Sequence, residues 1–230
     1  MQVRRSHLNF DDLTLRANPA AMVETLVPGS ACADRYSDVP ESTMFSGEAA
    51  IVANAIPVRR LEFAAVRFCA RQALRRIGMP GAPILPDADG VPRWPVGVVG
   101  SMTHCKGYRA AVVARSDRLR GIGIDAEPHG ALPDPARDLV LREEERVRLP
   151  ELAAADPDVH WDRVIFCAKE AVYKACFPST RVWLDFSDIS VTLHAEGAFD
   201  AHLLVAERNR LAGRWAVDRG IVVAATSVTS

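Results

Sequence analysis

Two long amphipathic helices, one in each half of the chain, restrict its fold more than any other feature. Residues 59–76 carry Leu61, Phe63, Ala64, Val66, Phe68, Ala70, Ala73 and Leu74 at helical spacing, enough for one well-buried face. Gly78 and Pro80 then supply a stop. Residues 161–177 repeat the pattern and close at Pro178, because the residue before a proline resists helical geometry. The two helices also share local character: Glu62-Phe63-Ala64-Ala65-Val66-Arg67-Phe68-Cys69-Ala70 resembles Val164-Ile165-Phe166-Cys167-Ala168-Lys169-Glu170-Ala171. This permits a duplicated α+β architecture with a site in the cleft between two lobes.

Around the helices, residues 1–50 read as short helices and loops wrapped over a core, interrupted by Pro19, Pro28, Gly29, Pro40 and Gly47. Residues 80–95 are a proline-rich loop. Residues 108–114 and 119–127 are β-rich, and the short polar link between them predicts an antiparallel hairpin. A linker near Pro128 divides an N-terminal lobe, 1–128, from a C-terminal lobe, 129–230. The latter begins with a charged helix over 139–149 and ends in strands at 189–193, 201–206 and 220–228, with a turn at 209–213.

With 230 residues, 49% of them hydrophobic and 25% charged, the chain can bury a sizeable core. A formal net charge of −1 gives no global field for nucleic acid, so any anion site must be a local cluster. Met1 to Phe10 lacks the apolar stretch of a signal peptide, and no window is apolar enough to span a membrane. The five cysteines form no C-x-x-C pair and no even framework, which argues against zinc and disulfides and for a reducing cytoplasm.

Three segments carry candidate chemistry. Gly121-Ile122-Gly123-Ile124-Asp125-Ala126-Glu127 is an apolar strand ending in two carboxylates at i and i+2, which project to one side. Paired anions raise each other's pKa unless a cation neutralises them, and oxygen-only ligands favour Mg²⁺ or Mn²⁺. The alternative is a strand end whose acids face solvent. On the second helix, Glu170 and Lys174 share a face, as do Lys169 and Tyr173. A carboxylate and an ammonium presented together suit phosphoryl transfer, whereas a surface ion pair is the plainer account. Gly100-Ser101-Met102-Thr103-His104-Cys105-Lys106-Gly107 reads as a polar loop that offers phosphate its N–H groups and side chains, or holds a purely structural histidine. The first helix adds Arg59, Arg60, Arg67, Arg71, Arg75 and Arg76, which form either a phosphate clamp or a solvated face.

Taken together, Gly123-Ile124-Asp125-Ala126-Glu127, Phe166-Cys167-Ala168-Lys169-Glu170-Ala171-Val172-Tyr173-Lys174, the glycine–histidine segment, Trp94-Pro95, and Arg59-Arg60-Leu61-Glu62-Phe63 with Arg67 resemble the Sfp-type 4′-phosphopantetheinyl transferases, in their actinobacterial and enterobactin-synthase-component-D-like branch. The resemblance runs from Arg59 to the C-terminus. It implies a monomer of two similar α/β lobes related by pseudo-twofold symmetry, with coenzyme A in the cleft and an acyl or peptidyl carrier protein of fatty-acid, polyketide or nonribosomal peptide synthesis as partner. It further implies that Asp125, Glu127 and Glu170 hold Mg²⁺ on the pyrophosphate and that Glu170, or a water it orients, takes the proton of the carrier serine. Lys174 would stabilise the departing adenosine 3′,5′-bisphosphate, while Arg59, Arg67, Thr103, His104 and Lys169 would grip the nucleotide. A nucleotide pyrophosphohydrolase and a non-catalytic coenzyme A- or carrier-binding module are the competing readings. The proline-rich loop departs from the branch in lacking a lysine and carrying Asp87 and Asp89 instead.

Overall fold

The computed structural model describes residues 22–205 and 210–229. After a 3₁₀ turn at Met22–Thr25 come β1 (Ala31–Arg35), α1 (Ser46–Ile51), α2 (Pro57–Arg76), β2 (Val98–Cys105), β3 (Tyr108–Arg115) and β4 (Leu119–Pro128). The second half adds α3 (Asp134–Val140), α4 (Glu143–Ala155), α5 (Trp161–Thr180), β5 (Ile189–His194), β6 (Ala198–Leu203), β7 (Arg210–Asp218) and β8 (Ile221–Thr229). Both long helices fall where their periodicity puts them. Pro57 starts α2 at a position that needs no N–H donor, and Arg75 and Arg76 sit favourably at its C-terminal dipole.

The strands form two antiparallel sheets, ordered β1-β3-β2 and β4-β8-β7-β6-β5, and the fold is α+β. Strand alternation stacks them into four layers. Ala111 and Val113 of β3 pack on Cys69, Ala70, Ala73 and Leu74 of α2. Their neighbours Ala110, Val112 and Ala114 meet Ile122, Ile124, Val223 and Ala225 of the second sheet. Val222 and Ala224, on the opposite face of β8, join Val164, Cys167, Ala168 and Ala171 of α5. The order is therefore helix, three-stranded sheet, five-stranded sheet, helix. All five cysteines are free and buried. Among the described residues, no helix is long and apolar enough to cross a membrane.

Several local expectations are corrected. β3 and β4 are not a hairpin: β4 pairs with β8, and the link between them crosses from one sheet to the other. The ladder pairs residues of 119–128 with β8. The presumed glycine–histidine loop is strand β2, in which Gly100 lets Trp94 pack on the backbone; a Cβ there would lie 2.8 Å from the indole. The presumed turn at 209–213 includes the start of β7, where Gly213 makes room for the Phe199 ring. The helix expected over 139–149 is split, with Leu141 and Arg142 extended between α3 and α4. α5 runs past Pro178 to Thr180, and an unforeseen strand, β1, occupies part of the N-terminal wrap. Residues 1–21 of that wrap lie outside the described residues.

Candidate active site

Residues Gly121, Gly123, Asp125 and Glu127 lie on the face of β4 turned to α5, because Ile122, Ile124 and Ala126 face the other sheet. The two glycines allow the helix backbone to rest directly on the strand. A Cβ on Gly123 would stand 1.7 Å from the Ala171 carbonyl oxygen, and one on Gly121 would stand 2.3 Å from that of Ala175. That close approach brings Lys174 onto Asp125, with Nζ 2.6 Å from Oδ1.

Asp125 is nearly fully buried. Its Oδ1 also accepts the Thr103 hydroxyl at 3.3 Å, while Oδ2 is buried with no hydrogen-bond partner. Burial, and then the charge of Asp125, raises the pKa of both Glu127 and Glu170. Burial opposes the charge of Lys174, but Asp125 and Glu170 outweigh it and hold its pKa above the usual range. Arg163 stands 3.7 Å from Glu127. An orphaned carboxylate oxygen among mutually repelling acids fits a hard cation held by Asp125, Glu127 and Glu170. Among the described residues, no three His, Cys, Asp or Glu side chains converge closely enough to enclose a metal unaided.

β2 lies beside β4, joined to it by side chains. The Ile124 N–H donates to Ser101 Oγ and the Ala126 N–H to Thr103 Oγ1, both at 3.1 Å. Thr103 is buried with its hydroxyl engaged on both sides, so it positions Asp125 and does not grip a phosphate as expected. His104 points the other way, to α2, where Arg59 donates to its Nε2. An arginine only donates, so the neutral ring carries its proton on Nδ1. Burial, followed by Arg59, Lys174, Arg109 and Arg67, pushes the His104 pKa down to about 4.

Arg67 stacks on Phe63 with its guanidinium carbon 3.5 Å from the ring centroid. Burial lowers its pKa to about 10, and its Nε is buried without a partner. Arg59 and Arg67, with the neutral His104 between them and Glu62 3.9 Å from Arg59, therefore form a polar recess beside the carboxylate centre. Two members of this recess were missed: Arg109, the β-ladder partner of His104, and Glu62, which lies 3.6 Å from Arg109 and 3.7 Å from His104. Pairing register would have placed Arg109 there, had the segment been read as a strand. The other helix arginines divide: Arg71 makes a buried pair with Glu48 at 2.9 Å, and Arg60 pairs with Glu41 at 3.0 Å.

Lys169 is the clearest correction. Its side chain is fully buried on the core side of α5, 2.8 Å from Glu145 Oε2, and donates to the carbonyls of Val140 and Phe186 at 2.7 and 3.0 Å. All three ammonium donors are used, so none remains for a nucleotide. From Lys174 a cavity of about 620 Å³ runs along α5, lined by Trp94, Val99, Met102, Ile122, Tyr173 and Phe177.

The family model for the 4′-phosphopantetheinyl transferase N-terminal domain matches residues 47–114, and that for the 4′-phosphopantetheinyl transferase superfamily matches residues 121–226. The 4′-phosphopantetheinyl transferase Svp of Streptomyces mobaraensis is 46% identical over 221 residues, covering 91% of this chain and 90% of that protein. The chain belongs to the 4′-phosphopantetheinyl transferases. Transferase PptT of Mycobacterium tuberculosis is 45% identical, covering 90% of this chain and 94% of its own, and Npt of Nocardia iowensis is 39% identical, covering 89% and 98%. These relatives agree with the actinobacterial branch that the motifs suggested. The two model matches meet at residues 115–120, where this transferase passes from one sheet to the other.

Proposed function

We propose that this transferase moves 4′-phosphopantetheine from coenzyme A to a serine hydroxyl of an apo acyl or peptidyl carrier protein. The observation that carries the reading is Asp125: one oxygen held by Lys174, the other buried and orphaned, between two acids whose pKa values are raised. Arg59, Arg67 and His104 bind the phosphates of the nucleotide, and the apolar cavity beyond Lys174 receives the pantetheine arm. A magnesium ion held by Asp125, Glu127 and Glu170, or manganese in its place, supplies charge neutralisation for the pyrophosphate when bound.

Glu170, its pKa raised by burial and then by Asp125, accepts the serine proton directly or through a water. The serine oxygen then forms a bond to the β-phosphorus as the bond from that phosphorus to the bridging oxygen breaks. The electron pair leaves with adenosine 3′,5′-bisphosphate, and Lys174 stabilises the developing negative charge. No protein nucleophile is required.

Intact mass spectrometry of an apo carrier with coenzyme A and Mg²⁺ tests this. The expected result is one phosphopantetheinyl group added, lost when the carrier serine is replaced and lost in Glu170→Ala with the fold retained. Consumption of coenzyme A without carrier modification would instead show a pyrophosphohydrolase. Binding without consumption would show a non-catalytic module.

A further inference from the structure

The cavity has a wall that the transfer chemistry does not use. Residues 85–93 form a narrow finger closed by a Pro86–Pro92 bridge, with the Arg93 N–H donating to the Leu85 carbonyl at 2.8 Å. Asp87 organises its tip: Oδ1 accepts the N–H groups of Asp89 and Val91, each at 3.0 Å. Asp87 Oδ2 and Asp89 Oδ2 face a single cation, Arg181, at 2.7 and 2.9 Å from its two terminal nitrogens. Asp87, Asp89 and Arg181 all line the cavity, so the pairs bridge its two sides.

Arg181 is itself specially placed. It caps α5 in the left-handed conformation, with φ of 55°, and its N–H donates to the Phe177 carbonyl. A non-glycine residue there carries a backbone cost that needs a compensating use of the side chain. The seven steps from Lys174 to Arg181 carry the cavity about 10 Å along the helix axis, at 1.5 Å per residue. Anything leaving the phosphate end at Lys174 and running along α5 meets the clasp at its far end.

We propose that the Arg181–Asp87/Asp89 clasp is a gate that sets how much the coenzyme A arm can carry on its thiol. Closed, it admits the free arm and excludes bulky acyl extensions; open, it lets the extension pass. This rests on the assignment of the cavity to the arm. The pairs are solvent-exposed and screened by salt, so the gate opens at little cost.

Arg181→Gly removes the guanidinium while suiting the left-handed cap. In the charge swap, Arg181→Asp with Asp89→Arg, a clasp of reversed polarity forms, and Asp87 stays untouched because it also builds the finger tip. The first readout needs no catalysis. A cysteine placed inside the cavity by Met102→Cys is titrated with a bulky maleimide, the native thiols being buried. Alkylation should quicken at least roughly threefold in Arg181→Gly, and in wild-type clasp at high salt, and slow again in the swap. Equal rates in all three would overturn the gate. The second readout is the ratio of kcat/KM for a long-chain acyl-coenzyme A to that for coenzyme A. It should rise at least roughly threefold in Arg181→Gly and fall back in the swap. An unchanged ratio beside faster alkylation would overturn its role in selectivity. Absence of transfer from any donor by the unmodified enzyme would instead remove the proposed reaction, and the alkylation rates would still decide the gate.

Discussion

Replacing Lys169 by methionine separates the two roles a lysine beside the acidic centre can have. The side chain is fully buried against Glu145, which is equally buried and accepts the N–H groups of Arg142 and Val191. Burial works against both charges, lowering the pKa of Lys169 and raising that of Glu145. Methionine keeps most of the volume but strands Glu145 and leaves the carbonyls of Val140 and Phe186 without their donor. Breaking one side of a buried pair costs about 3–5 kcal/mol, a large part of the total for an ordinary domain. At about 2–4 °C per kcal/mol for a chain of this size, Tm should fall by about 6–20 °C. Adding Glu145→Leu should recover only part of the loss, since it removes the stranded carboxylate but leaves the N–H groups of Arg142 and Val191 without their acceptor. Urea denaturation and calorimetric titration with coenzyme A provide the assay. Affinity measured well below Tm should stay within about threefold of the unmodified enzyme. A stability loss under about 1 kcal/mol together with an affinity loss of tenfold or more would refute the structural assignment and return Lys169 to the nucleotide site.

Three further outcomes follow from the same geometry. Gly123→Ala forces a methyl into the Ala171 carbonyl and should destabilise by about 3 kcal/mol or more, whereas Gly130→Ala, with open space around it, should be nearly neutral; paired urea midpoints decide. Thr103→Val leaves the buried Ala126 N–H unpaired and should cost about 1–3 kcal/mol while reducing kcat more than it raises KM for coenzyme A, with Thr103→Ser restoring both. His104, depressed to about 4 from 6.5, supports the fold above pH 6.5, and that support is lost as pH falls towards 4; a bound phosphate raises its pKa, so coenzyme A binding near pH 5.5 should take up protons, seen as a buffer-dependent binding enthalpy that disappears in His104→Gln.

Which parts of the site were legible in the sequence follows from how far each signal reaches. Period-two alternation is a property of a few adjacent residues, so Asp125 and Glu127 could be placed on one face of one strand without knowing what lay opposite. The four-residue spacing of Glu170 and Lys174 works in the same way on a helix. Lys169 differs from Glu170 by one step, a rotation of about 100° that turns it from cleft to core. Its partner Glu145 belongs to another helix, and nothing near Lys169 announces it. Register has the same limitation: Arg109 joins His104 only once β2 is known to be a strand.

The misread β2 shows that the error was not random. Gly100, Ser101 and Thr103 read as a loop because small and hydroxylated residues favour turns. In the fold, each of them solves a problem of packing between layers. Gly100 admits the Trp94 ring, and Ser101 and Thr103 accept the N–H groups of β4 where, among the described residues, no strand pairs with that edge. An unpaired buried N–H costs about 1–3 kcal/mol, so the Ser101 hydroxyl is worth more than the β propensity given up to place it, and Thr103, being β-branched, gives up none. The seam also fixes Asp125 from the β2 side while Lys174 fixes it from α5. Ser101, which weakens a strand in isolation, and Thr103, which favours one, thus join the two sheets, and Thr103 sets the acidic centre between them.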